Sequence, residues 1–371
     1  MKKNLLSILF ICFIFITFGF MAFSPKQGTA INEQRVLATF PEFPKKISSS
    51  RIKTYFSAVD RFFIDHFPQR DHLINNYVSY INYITDDSYD LDPSKAYKGK
   101  NGWIFLGNYY NRTVDKLIGK LTASDDYIKK ASDKFTAYNE ILQADGVKTL
   151  FILGPDKSRI YSQYLPPIVT PSRERFVAPI LQSLKQRGMD IFDPTSLLLS
   201  KKDHTLYYRT DTHWNLYAGA IIYKAIAEKL GFTPVSDFSL EPAQTMPGDI
   251  VSIGLYQFKP TDEIDTYKIN WQKKPQLLYS KDGDVYEPAS ENVLLTFENK
   301  FIRNPNAPIK KTLWVIGDSF SVALLPYLTA TFENVRCFTY LDVTPQLIKE
   351  ALQNTSEKPS YTIFMVVERQ L

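Results

Sequence analysis

Two periods of apolar residues run through this chain. Behind Ser124, the residues Ile128, Ala131, Phe135, Tyr138 and Leu142 recur at helical spacing. That pattern predicts a capped amphipathic helix, stopped by Gly146. Short apolar runs at Val147–Leu153, Met189–Phe192, Leu313–Ile316, Val335–Tyr340 and Tyr361–Val367 predict buried strands. Between them the helical period returns at Phe176–Arg187, Trp214–Leu230, Ser321–Phe332 and Pro345–Gln353. Strand and helix in alternation predict an α/β fold, a mostly parallel sheet with helices on both faces. Residues 235–308 break the rhythm with Pro, Gly and Asp-Gly turns and read as a β-rich insertion.

The N-terminal end follows neither period. Lys2 and Lys3 precede an apolar stretch from Leu5 to Phe23. A spanning helix needs about 20 apolar residues, and a cleaved signal core only about 7–15. Residues 1–25 therefore read as a single-pass signal anchor in the inner membrane. By the positive-inside rule the lysine end is cytoplasmic and the rest extracytoplasmic, in the periplasm or its equivalent. Cleavage near Met21-Ala22 is the alternative. Residues 26–50, rich in Pro, Ser and Lys, read as a tether. The remaining span, 51–371, reads as one domain. It opens on a helical stretch (Ile52, Tyr55, Phe56, Val59, Phe62, Phe63), and Lys100-Asn101-Gly102 turns into a strand at Trp103–Leu106.

Charge and cysteine content narrow the function classes. The chain has 44 basic and 39 acidic residues, a net charge of +5, without a dense basic tract. Nucleic acid is not an expected partner. Cys12 lies in the anchor and Cys337 in a predicted strand, so neither a disulfide framework nor a cysteine metal cluster is expected. Nothing in the pattern calls for a metal or an organic cofactor.

Candidate chemistry gathers at two junctions. Gly317-Asp318-Ser319-Phe320 follows the strand Leu313–Ile316 directly, so Ser319 falls at a strand-to-helix turn. A serine there is either a helix N-cap or a nucleophile at the carboxyl edge of the sheet, where open α/β folds place ligands. Asp211-Thr212-His213-Trp214 precedes the helix at Trp214, and a carboxylate two residues from an imidazole can fix its tautomer. Standing alone, His213 reads as an ordinary helix N-terminal or core histidine. Together the three residues are one acid, one base and one nucleophile. Lys157 and Tyr161 follow the strand Val147–Leu153 at the same edge and are candidates for binding substrate. Arg209, Trp214 and Tyr340 are further candidates, with ion pairing or core packing as the alternative for each.

These motifs bring a family into view. Asn32-Glu33-Gln34-Arg35, Asp65-His66-Phe67-Pro68-Gln69-Arg70, Gly102-Trp103-Ile104-Phe105 and Gly154-Pro155-Asp156-Lys157 lie in order along the chain. Asp211-Thr212-His213-Trp214-Asn215, Gly248-Asp249 and Gly317-Asp318-Ser319-Phe320 follow. In that order and spread the chain resembles the SGNH hydrolase-like alginate O-acetyltransferases of the AlgJ/AlgX type, also called DHHW-like proteins. Where the family often has a second His, this chain has Thr212. The resemblance implies a three-layer SGNH-like fold. It also implies Ser319 as nucleophile, His213 as general base and Asp211 as the acid that orients it. The Ser319 backbone N–H is the first candidate oxyanion donor. The implied activity is O-acetyl transfer to an extracytoplasmic polysaccharide, alginate or similar, with a membrane-bound O-acyltransferase supplying acetyl groups. A polysaccharide acetyl esterase with the same triad, or a non-catalytic envelope scaffold or polysaccharide-binding protein, would fit the same motifs.

Overall fold

A computed structural model describes residues 92–256 and 264–371 continuously, and shorter pieces between 29 and 90. Residues 1–25, expected to be an anchor, and much of the expected tether lie outside the described residues. Among the described residues, no helix is long and apolar enough to cross a membrane. Two compact units emerge: Asp92–Ile250 with Lys259–Leu371, and a smaller one comprising Met1–Leu91 and Val251–Phe258. In the smaller unit the helix Ser49–Asp65 sets Phe62 edge-on to Phe40 and Tyr55 edge-on to Phe43.

The larger unit is built on one eight-stranded sheet. Its strands in chain order are β1 (Lys148–Gly154), β2 (Ile191–Phe192), β3 (Leu278–Ser280), β4 (Glu287–Pro288), β5 (Lys300–Arg303), β6 (Ile309–Gly317), β7 (Phe332–Thr339) and β8 (Pro359–Val367). Across the sheet they run β4-β3-β5-β7-β6-β8-β1-β2. From β7 to β2 every pairing is parallel; from β4 to β7 every pairing is antiparallel. The sheet is therefore mixed, which corrects the mostly parallel sheet expected from the sequence. The reason lies in residues 278–303, which do not stay apart as an insertion but hydrogen-bond onto β7 and extend the sheet. A separate hairpin, Phe238–Pro242 with Tyr267–Trp271, comes from the same stretch.

Alternation along the parallel strands explains the layers. Leu150, Ile152, Leu313, Val315, Ile363 and Met365 point to one face, while Phe151, Leu153, Trp314, Ile316, Phe364 and Val366 point to the other. Both sets are buried, so both faces need a helical cover. Five helices supply it: α1 (Asp125–Ala144), α2 (Ala178–Gln186), α3 (Leu216–Leu230), α4 (Leu325–Thr331) and α5 (Pro345–Gln353). Phe135 and Leu142 of α1, Leu184 of α2 and Ile348 of α5 pack with the Trp314 face. Ile222 and Ile226 of α3 and Leu328 of α4 pack with the Leu313 face. Burying each such side chain is worth about 1.5–3 kcal/mol, which is why the short apolar runs were readable as strands.

Local signals set the helix ends. Ser124 Oγ accepts from Tyr127 N at 3.3 Å and starts α1. Asn215 Oδ1 accepts from Tyr217 N and Ala218 N at 3.0 and 3.1 Å and starts α3 just past the His213 loop. The helix predicted from Ser321 is broken into a 3-10 turn, Ser319–Ala323, followed by α4. Asn101 and Gly102 both have positive φ, 55° and 74°, as the turn between strands Ala96–Lys98 and Ile104–Leu106 requires.

Candidate active site

Ser319 stands where β6 ends and the 3-10 turn begins. Asp318 shapes that turn. Its carboxylate accepts from Phe320 N at 3.0 Å and from Val367 N at 2.7 Å, tying the turn to the end of β8. Burial pushes the Asp318 carboxyl up, and those two N–H groups draw it back only in part. The Ser319 hydroxyl is exposed, and its backbone N–H has no acceptor among the described residues.

The second half of the site comes from the loop between Leu206 and α3. That loop is pinched by a bridge between Tyr207 and Trp214 and by Asn215 N donating to Leu206 O at 2.9 Å. The tight return brings the Asp211 carboxylate back over residue 213. Asp211 Oδ1 accepts from His213 N at 2.9 Å and from His213 Nδ1 at 2.6 Å. With Nδ1 engaged as donor, Nε2 is the accepting nitrogen. It receives the Ser319 hydroxyl at 2.7 Å. Asp211, His213 and Ser319, named from the sequence, are thus one hydrogen-bonded line.

Asp249 is the member that sequence reasoning left without a role, although Gly248-Asp249 was among the motifs. Its backbone N–H donates to Asp211 Oδ2 at 2.9 Å, and its carboxylate accepts from Thr212 N and Thr212 Oγ1 at 2.7 and 2.6 Å. Asp249 Oδ2 also lies 3.7 Å from His213 Nδ1. Thr212, standing where the family often has His, therefore anchors the loop. Gly248 permits this approach: a Cβ there would sit 2.4 Å from Asp211 Cβ and 2.5 Å from Thr210 O.

Charge and burial compete at the pair. Burial favours neutral His213, but the Asp211 charge and hydrogen bond, joined by the Asp249 charge, lift its pKa above 6.5. Burial likewise disfavours the Asp211 carboxylate. The His213 charge and the N–H groups of Asp249 and His213 outweigh that and hold it well below the usual carboxylate range. For Asp249, burial and then the Asp211 charge push the carboxyl up.

Asp211, His213 and Asp249 could also be read as metal ligands, since their ligand atoms lie within 4.8 Å of one another. Their donors fit a protein network better. Both Asp211 oxygens and both Asp249 oxygens already accept N–H or O–H hydrogens, and Nδ1 carries the proton that Asp211 accepts.

The five residues expected to bind substrate are all buried. Lys157 is buried, and its ammonium donates to the carbonyls of Tyr208, Arg209 and Asp211 at 3.2, 2.8 and 2.6 Å. Burial pulls its pKa down to about 7. It clamps the loop that carries Asp211. Tyr161 is buried, stacks on Trp103 at 4.2 Å, and its hydroxyl accepts from Leu206 N at 2.8 Å. Arg209 is buried, with Nη1 on Asn101 O at 3.3 Å. Trp214 is buried, and its Nε1 donates to Phe320 O at 2.8 Å, joining the histidine loop to the serine turn. Tyr340 is buried, with its hydroxyl on Gln370 Oε1 at 3.0 Å. Lys157 and Tyr161 follow the end of β1 and Tyr340 follows β7, while Arg209 and Trp214 belong to the loop before α3. The hairpin Ala96–Leu106 and the loop 206–215 roof the carboxyl edge of the sheet, with Lys100 N donating to Tyr164 O at 2.7 Å and Ile104 N to Arg209 O at 3.2 Å.

A serine at the carboxyl edge of an α/β sheet, bonded to a carboxylate-oriented histidine, has the geometry of a serine hydrolase-like site. Residues 96–253 match the family described as SGNH hydrolase-like domain, acetyltransferase AlgX, and in that stretch the chain is AlgJ/AlgX-like. The matched stretch holds Asp211, His213 and Asp249; Ser319 lies beyond it. Among solved structures, Bacillus cereus PatB1 is similar at 13% identity and TM-score 0.52, over 72% of this chain and 94% of that one. A DHHW family protein from Eubacterium siraeum is similar at 16% identity and TM-score 0.52, over 72% and 87%. The O-acetyltransferase domain of Pseudomonas putida AlgJ gives 15% identity and TM-score 0.45, over 74% and 91%. No curated protein matches the sequence.

Proposed function

We propose that this chain is an O-acetyltransferase that moves acetyl groups onto an extracytoplasmic polysaccharide, alginate or a similar polymer. The reading rests on one observation, the line from Ser319 Oγ through His213 Nε2 and Nδ1 to Asp211, with bonds of 2.7 and 2.6 Å. The match of residues 96–253 to an acetyltransferase family supports the choice of acyl group. In the first half-reaction His213 takes the Ser319 proton as Oγ attacks the acetyl carbonyl. The tetrahedral oxyanion is met by N–H groups at the turn, with Ser319 N–H the first candidate. His213 then gives the proton to the leaving group, and an acetyl-serine remains. In the second, a sugar hydroxyl gives its proton to His213 and attacks the acetyl carbonyl; the acetyl–Oγ bond breaks and His213 returns the proton to Ser319 Oγ. Asp211 stays ionised throughout and stabilises the imidazolium.

The proposal includes a signal anchor at 1–25, a tether at 26–50 and an extracytoplasmic catalytic domain. A membrane-bound O-acyltransferase would hand over the acetyl groups, since the reading places the site outside the membrane. Hydrolysis is the second reading. The exposed hydroxyl of Ser319 favours it, because water that can reach Oγ can also reach an acetyl-serine.

Ser319→Ala tests the site. Acetyl release from a small ester, and acetylation of polymer, are both expected to fall by about a thousandfold or more. Survival of either would sink the triad. Incubating the wild-type protein with an acetyl donor, with and without oligosaccharide, then separates the two readings. Transfer predicts acetylated sugar; hydrolysis predicts acetate in both samples.

A further inference from the structure

Beyond the triad, the larger unit holds a cavity of about 650 Å³ on the antiparallel extension of the sheet. Strands β5 and β7 contribute Lys300, Phe301, Arg303, Arg336 and Phe338 to its lining. Phe301, Arg336 and Phe338 form its floor, and Leu347, Glu350 and Ala351 of α5 form one wall. The volume lies within the usual range for small-ligand sites.

The state of its cations is informative. Arg303 is committed, bonded to Glu357 at 2.5 Å and lying 4.4 Å over the Tyr286 ring. Lys300 is committed too, its ammonium on the carbonyls of Val293 and Thr296 at 2.5 Å each. Arg336 differs. Its guanidinium lies 4.5, 5.4 and 4.4 Å over the rings of Phe301, Trp314 and Phe338. Among the described residues it has no carboxylate or carbonyl partner. Its nitrogens are not among the sealed, unpartnered ones. Burial brings its pKa down only to about 10, so it remains a cation at neutral pH. Three rings surround the guanidinium, and no hydrogen-bond acceptor among the described residues takes its N–H groups, which can pair with a carboxylate through two parallel bonds.

The rest of the lining suits hydroxyls. Asn299 Oδ1 accepts from Thr339 N at 2.8 Å, which leaves the amide NH2 free to donate among the described residues. Asp282, Asp284 and Glu350 are also in the lining; Asp282 Oδ1 already accepts from Ser280 Oγ and Asp284 N and Glu350 Oε1 from Gln346 Nε2, and a carboxylate has further lone pairs that can accept hydroxyl hydrogens. One such guanidinium with several hydroxyl acceptors fits a sugar that carries a carboxylate better than it fits phosphate. Register connects the cavity to the triad. Thr339 pairs with Gly317, two residues before Ser319, and Arg336 pairs with Trp314. Along β6 that is on the order of 16 Å from Ser319, a span one oligosaccharide segment can bridge.

We propose that this cavity, with Arg336 and Asn299 at its centre, is a second binding site for uronic-acid-type saccharide. It would hold a flanking segment of the acceptor polymer while Ser319 acts on another unit. The role as acceptor site rests on the transferase reading; the binding itself does not.

The test is calorimetric titration of the full chain with three probes: an oligouronate, the same oligomer with its carboxylates reduced to alcohols, and inorganic phosphate. The oligouronate is expected to bind at least tenfold tighter than either other probe. Arg336→Gln should weaken it by about tenfold to a hundredfold, the range for a lost charged hydrogen bond. Arg336→Lys, which keeps the stem and the charge, should weaken it several-fold at an unchanged melting midpoint. If Arg336→Gln does not fold, Arg336→Lys and Asn299→Ala carry the test. Equal affinity for the reduced oligomer, preference for phosphate, or unchanged affinity in both of these last variants overturns the site. The two readings fail separately. A protein that binds oligouronate through Arg336 yet transfers no acetyl keeps the site and loses the transferase. An active transferase whose binding ignores Arg336 does the reverse.

Discussion

At the scale of single residues, the proposed chemistry turns on how His213 holds its proton. Burial disfavours the imidazolium, and Asp211 followed by Asp249 more than restores it, lifting the pKa above 6.5. A general base must be neutral, so kcat/KM on an acetyl ester should rise with pH through that elevated value. Asp211→Asn is expected to move the rise to lower pH and to cut kcat by about 10³–10⁴-fold. An unmoved pH profile would count against the pairing. Stability carries a matching signature. His213 titrates higher folded than unfolded, so its contribution is complete below about pH 6.5 and fades as pH rises through the folded value. Asp211 titrates lower folded than unfolded, so its contribution is present above about pH 3.9 and fades as pH falls through the folded value. The melting-point difference between wild type and Asp211→Asn should therefore be widest between about pH 4 and 6.5 and narrow on both sides. A difference constant from pH 4 to 9 would contradict this.

At the scale of elements, the site depends on one loop docking against another. Gly248→Ala would place a methyl 2.4 Å from Asp211 Cβ, against backbone on one side. It is expected to destabilise the fold by about 1–3 kcal/mol and to lower ester turnover at least tenfold. Thermal unfolding and steady-state rates measure both; unchanged values would mean the loops can separate freely. The same scale shows what was legible in the sequence. Strands such as Leu313–Ile316 and Tyr361–Val367 were readable because burial on both faces demands unbroken apolar runs. The antiparallel strands β3, β4 and β5 were not, because Leu278–Ser280, Glu287–Pro288 and Lys300–Arg303 are short and include polar residues that are not buried. The line from Ser319 to Asp211 was legible from residue types at loop-to-helix junctions. Asp249 was not, since its partners Asp211 and Thr212 meet it only through folding. The burial of Lys157, Tyr161, Arg209, Trp214 and Tyr340 was not legible for a related reason. Position at a strand end or in a loop is visible in a sequence, whereas the hairpin that roofs the carboxyl edge of the sheet is not.

At the scale of the molecule, both hydrophobic clusters on the sheet are built from residues 97–371 among the described residues. A chain beginning at residue 92 is therefore expected to unfold in one cooperative transition. It should also retain turnover of a small acetyl ester, while losing membrane association if the anchor reading holds. Loss of cooperative unfolding in that truncation, followed by circular dichroism, would show that the N-terminal residues are required for the sheet to form.

The bond from Trp214 Nε1 to Phe320 O bears on how reactivity is acquired. It joins positions 106 residues apart, the same separation as between His213 and Ser319. Contacts of such long sequence range close late, because the loop entropy must be met before they can form. A newly made chain thus contains its acid, base and serine well before it contains a nucleophile. Chemical competence becomes a readout of completed folding, and a serine-directed probe added during refolding should label Ser319 only as the last phase ends.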